Sequence, residues 1–121
     1  MRHLETSIVM EKLIINSKLS DEEKILKIIE FVKSHEREGG LTDEQIAHKY
    51  VHGDCACLAS LINWFIPNAK IRWIGEEEHA HAFVTIVDPR YKGQKGPFYD
   101  HENLMLFDIN GKKLMKKCAS L

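Results

Sequence analysis

Gly53-Asp54-Cys55-Ala56-Cys57-Leu58-Ala59-Ser60-Leu61-Ile62-Asn63-Trp64-Phe65 is the stretch on which the fold turns. Gly53-Asp54 breaks the chain ahead of it, and Pro67 stops it two residues later. Between them Leu58, Ala59, Leu61, Ile62 and Phe65 keep helical spacing and spread over much of the circumference. That distribution predicts a central, buried helix beginning at Cys55.

Upstream the chain also reads helical. A loose amphipathic pattern (Ile8, Val9, Leu13, Ile14) covers Leu4 to Ile15. Ser20 with Glu23 is a capping-box signature. Ile25, Ile28, Ile29 and Val32 then recur at i, i+3, i+4 and i+7, so one apolar stripe lies on a helix that Gly39-Gly40 ends. Thr42 with Gln45 forms a second capping box and predicts a short helix to about Tyr50.

Downstream the period changes. Ile71 to Ile74, Ala80 to Val87 and Leu104 to Ile109 are short β-branched or aromatic runs between turn-rich stretches. Helices followed by strands predict an α+β fold, with the N-terminal helices packed on a small antiparallel sheet. At 121 residues the chain reads as a single domain, 1–121, with residues 112–121 as a basic tail.

Composition narrows the function classes. Seventeen Lys and Arg against eighteen Asp and Glu leave a formal charge of −1, without the basic excess that nucleic-acid binding uses. Three cysteines argue against a disulfide framework. Neither a signal peptide nor a membrane-spanning stretch is legible, so the expected setting is the cytoplasm or another reducing intracellular compartment.

Cys55 is the most informative single residue. A cysteine in the first turn of a helix meets unpaired backbone N–H groups and the positive end of the macrodipole, which favour the thiolate. Its own N–H is available to an oxyanion. His81 opens a strand that is apolar on both faces, where a histidine needs a polar partner. A cysteine at a helix start and a histidine at a buried strand start are the pair that thiol catalysis requires. A third group should orient the imidazole. Asp108, at the end of the neighbouring strand and before the Asn110-Gly111 turn, is favoured over Asp100 because its strand matches the histidine strand in length.

These residues, in order, resemble a known family. Asp21 to Val32, Gly53-x-Cys55 with Ala59 and Leu61, Ile66-Pro67, Ala69-Lys70, His81-Ala82-Phe83 and Phe107-Asp108 look like the transglutaminase-like branch of the papain-like cysteine enzymes. The resemblance spans residues 20–111. It implies a papain-like core around the cysteine helix, with Cys55 as nucleophile, His81 as general base and acid, and Asp108 as orienting group. It departs from the family at Phe83, where a tryptophan is usual, and in the shorter stretch between Cys55 and His81. It also leaves the second oxyanion donor unplaced, with Tyr50, His52 and Gln45 as upstream candidates. The implied activity is thiol-dependent acyl transfer or hydrolysis at an amide of a protein or peptide, without a cofactor.

Other constellations compete. Cys55-x-Cys57 and His79-x-His81 could hold zinc, with His52 or His48 replacing a cysteine. The histidines share a strand face, but the cysteines would need a loop, because i and i+2 diverge on a helix. A zinc-binding module, or a non-catalytic binding domain with the same fold, are therefore the alternatives. Finally, Cys118-Ala119-Ser120-Leu121 has the form of a prenylation box behind Lys112, Lys113, Lys116 and Lys117. A lipid at Cys118 would be the route to membrane attachment.

Overall fold

The computed structural model describes residues 18–75, 80–87 and 104–114. Three helices precede a four-stranded antiparallel sheet, an α+β architecture. The helices are α1 (Asp21–Glu38), α2 (Asp43–His52) and α3 (Cys55–Phe65). The strands are β1 (Lys70–Ile74), β2 (His81–Val87), β3 (Leu104–Asp108) and β4 (Gly111–Leu114), in the spatial order β1-β2-β3-β4. The amphipathic pattern from Leu4 to Ile15 lies outside the described residues.

Both capping boxes form. The Ser20 hydroxyl accepts from the Glu23 N–H at 3.3 Å, and the Glu23 carboxylate accepts from the Ser20 N–H at 3.3 Å. Thr42 and Gln45 make the same exchange at 3.2 and 2.8 Å. Each box satisfies two donors that a helix start otherwise leaves unpaired. The α1 stripe of Ile25, Ile28, Ile29 and Val32 is buried as its period predicts, each side chain contributing roughly 1.5–3 kcal/mol by leaving water. Helix α2 runs two residues beyond the expected Tyr50, to His52.

Helix α3 is central. It packs against β1, β2 and β3 and against both other helices, burying Cys55, Leu58, Ala59 and Ile62. Beneath it Ala82, Val84 and Ile86 of β2 and Met105 and Phe107 of β3 belong to the same core cluster. Strand β2 is buried on both faces from Ala82 to Ile86.

The fourth strand corrects the sequence reading. Residues 112–114, expected to begin a basic tail, pair with β3 in the register Leu106↔Lys113 and Phe107↔Lys112. The hairpin closes over a two-residue loop, Ile109-Asn110, followed by Gly111 at φ 101°, a left-handed position that glycine adopts without a Cβ clash. Two consecutive lysines, Lys112 and Lys113, hid the strand. Lys112 is not free: its ammonium lies 2.8 Å from the Glu22 carboxylate of α1.

Candidate active site

The β2–β3 ladder places two of the expected site residues. It runs from Val87↔Leu104 to Val84↔Phe107, so Asp108 follows directly and His81 lies three residues before the last pair. Side chains at alternate positions share a face, and His81 Nε2 comes within 3.3 Å of Asp108 Oδ2. Both side chains are largely enclosed, at 21% and 11% exposure. The second Asp108 oxygen accepts from the Asn110 N–H at 2.8 Å, so the tight hairpin turn itself fixes the carboxylate. Asp100, the rival orienting acid, lies outside the described residues.

The β2 residues before Val84 have no ladder partner on β3, which leaves the Ala82 N–H free of that strand. It donates to Cys55 Sγ at 3.3 Å. The thiol is thus seated against the His81–Ala82 peptide, at the start of α3. The remaining imidazole nitrogen, Nδ1, is buried and makes no hydrogen bond. Among the described residues it is the only buried side-chain nitrogen or oxygen left without a partner. An aspartate accepting at Nε2 places the ring proton there, which makes Nδ1 the acceptor nitrogen.

The start of α3 differs from the other two helix starts. Asp54 occupies the capping position but makes no side-chain cap, and its backbone (φ −96°, ψ 19°) is not extended. The first internal bond is Leu58 N–H to Asp54 carbonyl at 3.1 Å. The N–H groups of Cys55, Ala56 and Cys57 therefore precede the helical ladder, in the position from which an oxyanion is held.

The upstream oxyanion candidates have partners of their own. Gln45 lies in the first turn of α2, and its amide oxygen is committed to the capping box. The Tyr50 hydroxyl donates to Glu36 at 2.8 Å. Burial and this hydrogen bond to a carboxylate push the phenol well above the ordinary tyrosine range. His52 is exposed and rests on His48 one turn back, ring centroids 4.6 Å apart. Among the described residues, none of the three hydrogen-bonds to Cys55 or His81. The donor that sequence reasoning missed is the Ala82 N–H, which has no side-chain signature. The N–H groups at the start of α3 are those the position of Cys55 already predicts.

Around Glu36 a second polar cluster ties α1 to α2. Burial opposes ionisation of its carboxyl, but the hydrogen bonds from Lys49 and Tyr50 outweigh it and hold the group below the ordinary glutamate range. The hydrogen bond to Glu36 raises the Lys49 ammonium in turn. Lys49 also lies 3.8 Å from the Asp54 carboxylate.

For the metal alternative, residues 55–57 are helical rather than loop, with Cys55 buried and Cys57 exposed. Their side chains diverge, as i and i+2 must on a helix. His79 lies outside the described residues, and among those described no three metal-ligating side chains converge. Cys118 also lies outside them, and no described helix is long and apolar enough to cross a membrane. A cavity of about 160 Å³ opens between Lys33, Arg37, Asp43, Ile46 and Asn110, and neither Cys55 nor His81 lines it. Comparison with models of known families, with curated proteins and with solved structures finds no match for this chain.

Proposed function

We propose that the protein carries out thiol-dependent acyl transfer or hydrolysis at an amide of a protein or peptide. Cys55 is the nucleophile, His81 the general base and acid, and Asp108 the group that orients the imidazole. The observation that carries this reading is the orphaned Nδ1 of His81, buried beside a peptide whose N–H already touches the thiol. A buried acceptor nitrogen without a donor is costly, and a thiol proton would satisfy it.

The chemistry follows from these atoms. Cys55 Sγ passes its proton to Nδ1 and bonds to the amide carbon, while the carbonyl oxygen takes up negative charge. The Cys55 N–H, outside the helical ladder, holds that oxygen in this mechanism. His81 returns the proton to the amine as the C–N bond breaks, leaving a thioester. Water or a second amine then attacks the thioester, its proton goes to His81, and the sulfur leaves to regain it. The Nε2–Asp108 contact holds the tautomer that the first step needs and stabilises the imidazolium between steps.

A second reading has its own observation. Cys55 is only 6% exposed, and its sulfur accepts from the Ala82 N–H while His81 Nδ1 makes no hydrogen bond. A domain of this fold that only binds a partner would keep its thiol in that way.

Acylation by p-nitrophenyl acetate, with the acetyl group mapped by mass spectrometry, separates the two. Expected is an acetyl adduct on Cys55 of the native protein, formed about 10²-fold more slowly in His81→Ala. Native protein that acetylates other residues but never Cys55 overturns the enzyme reading and leaves the binding one.

A further inference from the structure

We infer that Lys49 is a positioning residue that keeps Asp54 from capping the helix that begins at Cys55. The inference rests on the reading of Cys55 as nucleophile. Aspartate is among the preferred residues at a helix start, where its carboxylate accepts from the second or third N–H. Ser20 and Thr42 do this here, with extended backbones at ψ 164° and 163°. Asp54, at ψ 19°, does not.

Lys49 acts on Asp54 at two points. Its carbonyl accepts from the Gly53 N–H at 3.0 Å and from the Asp54 N–H at 2.8 Å, a main-chain contact that sets Asp54 beside the lysine and that Lys49→Met retains. Its ammonium, anchored by Glu36, lies 3.8 Å from Asp54 Oδ2 and draws that side chain outward. A carboxylate released from this hold and turned onto α3 would accept from Ala56 or Cys57, next to the Cys55 N–H assigned to the oxyanion. It would also set a negative charge where the transition state develops one. Lys49 thus keeps the site open without touching substrate.

The test compares the native protein with Lys49→Met, Asp54→Ala and the double variant. Amide hydrogen exchange at Ala56 and Cys57 reports capping directly, whether or not Cys55 is reactive. Acylation by p-nitrophenyl acetate, which forms an oxyanion, is set against alkylation by iodoacetamide, which does not. In Lys49→Met the two amides exchange more slowly and ester acylation falls about fivefold, more than alkylation does. Adding Asp54→Ala restores both, because the intruding carboxylate is gone. A lysine that merely braces the turn gives the opposite result: the double variant is at least as impaired as Lys49→Met, which overturns the inference. Slower exchange in Lys49→Met without any acylation of Cys55, even in the native protein, sustains the capping assignment and defeats the nucleophile reading on which its function depends.

Discussion

The starts of α1 and α2 are closed and the start of α3 is open. At the first two a hydroxyl and a carboxyl or amide oxygen exchange hydrogen bonds with the backbone. At the third an aspartate stands in the same place and its side chain turns elsewhere. Closing a helix start contributes about 1 kcal/mol, so leaving a capable residue unused forgoes stability. The open start is also the one that bears the buried thiol and lies against the strand carrying His81. Stability has been left unclaimed where backbone donors can serve a reacting carbonyl. In a fold of this size such an omission points to function, because unsatisfied polar groups are few and tend to concentrate at sites.

Substitutions sharpen that contrast. The largest stability loss is expected from Asp108→Ala, which strips the part-buried His81 Nε2 and the Asn110 N–H of one shared acceptor. Urea unfolding should show a loss of about 1–3 kcal/mol, together with slower acylation of Cys55. Next come the caps. Ser20→Ala and Thr42→Ala should each cost about 1 kcal/mol, whereas Asp54→Ala should stay within about 0.5 kcal/mol of the parent. Equal losses at all three positions would erase the distinction between open and closed starts.

The smallest effect concerns acid. Glu36 is held below the ordinary glutamate range in the folded state. Its contribution is therefore fully present above that range and is lost as pH falls through and below it. Glu36→Gln should flatten this acid limb of the stability curve by a few tenths to about 1 kcal/mol, because Lys49 is partly exposed and the pair is screened. An unchanged limb would remove Glu36 from the set of groups that fix the turn.

Much of this arrangement was legible in the chain because it is local. The isoleucine stripe of α1, both capping boxes and the apolar wrap of α3 are short-range patterns, and each element formed where its pattern lies. The nearness of His81 and Asp108 follows from hairpin geometry, which brings the start of one strand to the end of its antiparallel neighbour. Strand β4 escaped because Gly-Lys-Lys-Leu carries little apolar signal, although the Asn110-Gly111 turn ahead of it is legible. Gln45 was read in two ways, as a cap and as an oxyanion donor. The cap uses its amide oxygen, and an oxyanion donor would use its amide nitrogen. The Tyr50–Glu36 bond joins residues fourteen apart on different helices, and the Ala82 N–H reaches the thiol only once α3 lies on the sheet. Contacts of that kind belong to packing and leave no periodic trace.

The most direct test sets two thiols of one helix against each other. Cys55 is buried and Cys57 is exposed, so accessibility alone favours alkylation of Cys57. We predict the reverse order in the native protein at neutral pH: iodoacetamide modifies Cys55 first, and His81→Ala restores priority to Cys57. Alkylation of Cys57 alone, with Cys55 protected until the protein unfolds, would contradict the account and mark Cys55 as a core thiol.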